Sequence, residues 1–223
     1  MNNKMFCFQC EQTAGCSGCT GQTGVCGKKS EIANLQDALT GALISLARAA
    51  YGKHPDARTH RVMLEGLFTT VTNVNFNEET IQDQIDAVLN DAKAILSPYE
   101  ASAKVSSYDM NRLWKADEDI RSLKSLILFG LRGMAAYAYH AMVLGYTNDE
   151  VNAFFYEGLS AVGEDWGMEQ LLPIVLKVGE VNLKCMALLD QANTETYGNP
   201  SPVTVPLKVE KGPFIVITGH DLK

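Results

Sequence analysis

EIANLQDALTGALISLARAAYG, residues 31–52, is the stretch on which the fold class turns. Ile32, Leu35, Leu39, Leu43, Leu46 and Ala50 recur at helical spacing, which lines apolar side chains along one face of an α-helix and along neither face of a strand. Gly52 supplies a C-terminal stop. The same period returns downstream. A second helix is expected over about 56–73, with Val62, Leu64, Leu67, Phe68 and Val71 as its apolar set. A third follows Asn77, a good N-cap, and carries Ile81, Ile85, Val88, Leu89, Ala92 and Leu96 until Pro98 stops it. Residues 101–115 are polar and irregular in pattern, and a sub-domain boundary is expected there.

A fourth helix is expected over about 117–144, with Gly130, Gly133, Ala135, Ala136 and Ala138 allowing a neighbouring helix to approach closely and Gly145 ending it. Thr147 to Glu150 has the capping-box form and opens a fifth helix to about residue 162. A sixth is expected over about 167–192, with a bend near Pro173. The expected fold is therefore mainly α, two three-helix bundles spanning 31–100 and 101–198. After Tyr197 the helical period stops. Residues 199–223 form a Pro-rich linker and then FIVIT, 214–218, which has the form of a buried parallel strand. A single strand leaves its backbone unpaired, so 199–223 is expected to be the linker and first strand of a truncated α/β domain whose partner strands lie elsewhere.

Working back from residue 31, the first 30 residues contain almost no apolar core material but five of the six cysteines. Cys7, Cys10, Cys19 and Cys26 stand as C-x2-C-x8-C-x6-C in a loop rich in Gly, Thr and Gln, with Cys16 among them. Gathered thiolates repel one another, and a metal ion or an iron-sulfur cluster removes that cost by neutralising and cross-linking them. Four-cysteine zinc sites usually present two C-x2-C knuckles, whereas iron-sulfur sites commonly show one close pair followed by isolated cysteines. Zinc stays open as the competitor. A disulfide framework fits poorly, since the thiols crowd one loop and staple nothing distant.

The chain of 223 residues is 46% hydrophobic, enough to bury a real core. Its net charge of -7 and the absence of a Lys/Arg run argue against nucleic acid as a partner. The N-terminus lacks the apolar run of a secretory signal, and the apolar stretch 123–146 is interrupted by Lys124, Arg132 and His140. The expectation is a cytoplasmic protein with no membrane partner.

MFCFQCEQTAGCSGCTGQTGVCGK, residues 5–28, followed by ANLQDAL, closely resembles the N-terminus of the hybrid cluster protein family, also called prismane proteins or hydroxylamine reductases. PFIVITGHDLK at the other end resembles the segment that enters the family's second domain, and the middle agrees in general layout. The resemblance implies that Cys7, Cys10, Cys19 and Cys26 hold a 4Fe-4S cluster, with a 2Fe-2S cluster the alternative known in the family, and that Cys16 is spare. It implies that His220 is one ligand of a hybrid iron-sulfur-oxygen cluster whose other ligands lie beyond this chain. The implied activity is reduction of hydroxylamine to ammonia, with nitric oxide as a further associated substrate. An electron-donor reductase and the missing C-terminal domains are the implied partners.

Two other classes of function compete: a stand-alone iron-sulfur electron carrier and a zinc-stabilised helical scaffold. The remaining candidates have plainer readings. His54 and His60 are expected to be solvated, His140 to be a hydrogen-bonded core residue and Cys185 to be inert packing. Glu118, Asp119, Glu164 and Asp165 are expected to serve solvation or helix dipoles, and Trp114 and Trp166 to anchor packing.

Overall fold

The computed structural model describes residues 4–96 and 107–216. Seven helices appear among them: α1 (Ser30–Ala50), α2 (Ala57–Thr69), α3 (Glu78–Ile95), the single turn α4 (Asn111–Trp114), α5 (Glu118–Val143), α6 (Asp149–Gly163) and α7 (Met168–Tyr197). No sheet forms among the described residues; their only β pairings are isolated bridges, Cys7 with Cys19 and Thr23 with Lys29.

Side chains at the helix starts satisfy orphan N–H groups. Asp56 accepts from the Thr59 N–H and Asn77 from the Thr80 N–H, capping α2 and α3. At α6 the cap is Asn148, which accepts from the Val151 N–H, so the capping box expected at Thr147 gives way to a cap one residue later. The sixth expected helix is α7, which runs unbroken through Pro173 and five residues beyond Ala192, to Tyr197.

Burial explains the arrangement. α1 is buried on most of its circumference, including Leu39, Leu43, Ile44 and Leu46, because α3 and α2 pack on one side of it and α6 on another. α5 is the corresponding centre of the second set, packed by α7, α2 and α6. The contacts of α1 with α6 and of α2 with α5 join both sets into one continuous core. Each fully buried Leu or Ile there contributes about 1.5–3 kcal/mol of transfer free energy.

α5 is long and apolar enough to cross a membrane by length and composition. Inside this fold it is a core helix, and two of its charged residues have protein partners: Lys124 donates to the Glu164 carbonyl at 2.5 Å and Arg132 to Thr40 Oγ1 at 2.8 Å. Gly130 does permit the close approach expected of it, since a Cβ there would lie 2.5 Å from Val178 Cγ1 of α7. Gly133 faces open space instead.

The described part of the irregular connection, 107–115, is tied to the core despite its polarity. Tyr108, Met110 and Leu113 are buried, and the Tyr108 N–H donates to the Gly41 carbonyl of α1 at 3.0 Å. At the other end, Phe214, Ile215 and Val216 are exposed and take part in no strand. No strand lies beside them among the described residues. The remainder of the expected strand, together with His220, lies outside the described residues.

Candidate metal centre

The N-terminal loop is stitched to itself before it meets the helices. Cys7 and Cys19 exchange both backbone hydrogen bonds, at 3.1 and 2.8 Å, and the Met5 N–H donates to the Gly21 carbonyl. The Gly24 N–H donates to the Lys28 carbonyl, closing the turn that carries Cys26. The Ser30 N–H then donates to the Gln22 carbonyl, so the loop itself satisfies one of the orphan donors at the start of α1.

This stitching draws the thiols together. Cys7, Cys10 and Cys26 share the wall of a cavity of about 390 Å³ with Gln9, Glu11, Gln12 and Lys28, closed on the far side by Thr72 and Asn73. The Thr72 N–H donates to Gln9 Oε1 at 3.2 Å, which ties the loop to the turn after α2. Cys19 joins from the side: its sulfur and that of Cys26 both lie 3.7 Å from where a Gly24 Cβ would be. A Cβ at position 24 would make ordinary contact with both sulfurs and with Met5 Cε. Cys16 stands apart, exposed on the short 3-10 turn Ala14–Cys16 with a positive φ of 56°, and does not line the cavity.

Four thiols are a donor set that fits an iron-sulfur group and also a zinc ion. Zinc requires its ligands to converge at about 2.3 Å from one point. Among the described residues no three His, Cys, Asp or Glu groups converge in that way. Three of the four thiols wall the cavity, and the fourth, Cys19, lies near Gly24 together with Cys26.

Beneath the cavity lies a layer of side chains that sequence reasoning missed. A void of only about 10 Å³, lined by Cys7, Lys28, Gln36, Asp37, Trp114 and Phe129, separates the loop from the helices. Lys28 is buried and donates to Gln36 Oε1 at 2.6 Å, while Gln36 Nε2 donates to the Asn75 carbonyl. One turn along α1, Thr40 accepts from Arg132 Nη2, and the Arg132 guanidinium lies 5.7 Å from the Phe129 ring centroid. Asp37 accepts from the Trp114 indole N–H at 3.1 Å. Phe6, Phe8, Trp114 and Phe129 stack edge-on or tilted at 5.4–5.7 Å between centroids beside this layer.

The electrostatics follow from that burial. Burial pushes the Asp37 carboxyl up to about 6, against the pull of the Trp114 hydrogen bond, Arg132 and Lys28. Burial also lowers the Lys28 ammonium, with Cys7 and Cys26 acting in the opposite sense. It raises the Cys7 thiol, countered by a backbone hydrogen bond and by Lys28 and Arg132. One signal for this layer was present in the sequence: Arg132 is a charge set inside an apolar, small-residue helix.

The plainer candidates divide. Cys185 is fully buried, donates to the Met134 carbonyl, and is pushed up to about 11 by burial, consistent with packing. Trp114 and Trp166 both pack against the core. Glu118 and Asp119 sit in the first turn of α5, where they complement the helix dipole. Glu164 and Asp165 instead pair with Arg48 and Arg112, pinning the α6–α7 connection to α1 and α4. His60 is half-buried, with Nδ1 3.0 Å from the Tyr156 hydroxyl, rather than solvated. His140 packs edge-on against Phe68, and its buried Nε2 has no hydrogen-bond partner among the described residues.

The chain is of the class that joins a helical body to a thiol-rich loop, with Lys28 and Arg132 buried beneath the loop. The chain belongs to the Prismane/CO dehydrogenase family, which it matches over residues 5–223. It is 40% identical to a hydroxylamine reductase of Maridesulfovibrio salexigens over 98% of this chain and 44% of that protein. It is 40% identical to one of Methanocella arvoryzae, covering 98% and 46%, and 41% identical to one of Chlorobaculum tepidum, covering 98% and 44%. The chain therefore spans less than half the length of these curated relatives.

Proposed function

We propose that this chain is the electron-relay portion of a hydroxylamine reductase, with Cys7, Cys10, Cys19 and Cys26 holding a 4Fe-4S cluster. The observation that carries the reading is the cavity walled by Cys7, Cys10 and Cys26, with the Cys19 sulfur beside that of Cys26 around Gly24. The family and the names of the relatives support it. When bound, such a cluster accepts and releases one electron at a time. The bridge between Cys7 and Cys19 fixes the spacing of two ligands, and Gly24 lies beside the sulfurs of Cys19 and Cys26. Phe6, Phe8, Trp114 and Phe129 form an apolar cluster on the inner side of the loop.

In the full-length protein the relay would serve a hybrid iron-sulfur-oxygen cluster, with His220 as one ligand and the others beyond Lys223. Hydroxylamine reduction there takes two electrons and two protons to give ammonia and water; nitric oxide is a second substrate candidate. Electrons would come from a reductase partner in the cytoplasm. Metal content tests the reading: about four iron and four acid-labile sulfide per anaerobically purified chain, with an EPR signal after dithionite, is the expected result. Cys16→Ser should leave these values intact and Cys26→Ser should abolish them. One zinc with no sulfide would replace this reading with a structural metal staple.

A further inference from the structure

Two cations, Lys28 and Arg132, are buried beneath the cysteine loop, and neither forms an ion pair among the described residues. Both are held by neutral oxygens, Lys28 by Gln36 and Arg132 by Thr40, from successive turns of α1. Arg132 Nε and Nη1 are buried with no hydrogen-bond partner. Asp37 is the carboxylate lining the void beside Lys28 and Phe129, and its own hydrogen bond comes from Trp114. Two positive charges against one negative leave the layer cationic. Burying an uncompensated charge costs several kcal/mol, so a fold keeps such a layer only where an anion offsets it.

The anion must come from the thiol side. Cys7 borders the same small void as Lys28, Asp37 and Phe129, and the Arg132 guanidinium lies over that Phe129 ring. A cubane held by four thiolates is anionic overall, and one-electron reduction adds a further negative charge without making or breaking a bond. Nearby fixed positive charge favours that reduced state.

On the reading that these cysteines hold a cluster, we infer that Arg132, seconded by Lys28, is a positioning residue that sets the reduction potential of the site by supplying buried counter-charge, and that Asp37 opposes it. A purely structural Arg132, kept to tether α5 to α1 through Thr40, would leave the potential unmoved when exchanged.

The test is an EPR-monitored redox titration of the cluster-loaded 223-residue chain at pH 8.5, where Asp37, with its pKa of about 6, is ionised. Iron and sulfide are counted on each sample, and dithionite is the reductant. Arg132→Met should shift the midpoint to a more negative potential and Arg132→Lys should restore it. Asp37→Asn, which keeps an oxygen for the Trp114 N–H, should shift it to a more positive potential. Equal midpoints in loaded wild type, Arg132→Met and Asp37→Asn would overturn the inference while leaving the cluster reading intact. If Arg132→Met does not fold, Asp37→Asn decides by the presence or absence of its positive shift. Failure of the wild-type chain to bind iron and sulfide would overturn the cluster reading and this inference with it.

Discussion

Asp37 lies on α1 between the buried Gln36 and the core residue Leu39, and nothing in the period of that helix sets it apart from an ordinary solvated residue. Its surroundings do. Lys28, Arg132, Cys7 and the Trp114 indole face it from the loop, α5 and α4. Its carboxyl is raised to about 6 from an ordinary value of 3.8, so the folded state prefers the proton more than the unfolded state does. The stabilising effect of that proton is fully present below about pH 4 and is lost as pH rises through about 6. A shift of this size corresponds to roughly 2–3 kcal/mol at neutral pH. Asp37→Asn is therefore expected to raise stability to urea at pH 7 by up to about that amount. The advantage should shrink as pH falls from about 6 to 4. An unchanged difference between variant and wild type across that range would mean the carboxylate is solvated. The cysteines, by contrast, were legible as a metal-binding set from residue type and spacing, because thiols crowded in a coreless loop have few other uses. Arg132 was visible only as an interruption, since its meaning depends on Thr40 and Phe129, which are remote or unmarked in sequence.

At the scale of elements, α5 contains a pair of glycines that composition treats alike and packing separates. Gly130 lies against Val178 of α7, where a Cβ would come within 2.5 Å of a branched side chain, while Gly133 has nothing within 4 Å. Gly130→Ala should cost about 1–3 kcal/mol through overpacking of the α5–α7 contact. Gly133→Ala should stabilise by about 0.5–1 kcal/mol through helix propensity alone. Urea midpoints of the two variants measure the opposite signs, and equal signs would mean the two helices are not in contact at residue 130. Gly41 is more constrained still, because a Cβ there would sit 2.2 Å from the Tyr108 carbonyl oxygen. That contact fastens the connection between the two helix sets onto α1. Helix existence and most stops were readable from periodicity and caps. The Asn148 cap was missed by one residue because Thr147 carries the same capping chemistry, and only the backbone decides which of the two adopts the cap geometry.

For the whole molecule, the two sets of three long helices share a core through the contacts of α1 with α6 and of α2 with α5. Leu131 of α5 is fully buried against Gly158 of α6. Leu131→Ala should cost about 2–5 kcal/mol. Because the core is continuous, the helix signal at 222 nm and the fluorescence of Trp114 and Trp166 should fall in one coincident transition, shifted as a unit. Two separated transitions would show that the bundles unfold independently. One face of α7 stays exposed, with Leu172, Leu176 and Leu183 each more than half accessible, and the tail beyond Tyr197 exposes Val203, Val205, Leu207 and Val209. The sequence by itself determined that this is a mainly helical protein with a thiol-rich loop at its start, because helical period and cysteine spacing are local properties written in consecutive residues. Only the tertiary structure decided that Cys19 meets Cys26 around Gly24, that two cations lie under the loop, and that both helix sets share one core. Those facts arise from contacts between residues as far apart as Thr40 and Arg132, whose partners are chosen by packing and burial rather than by their neighbours along the chain.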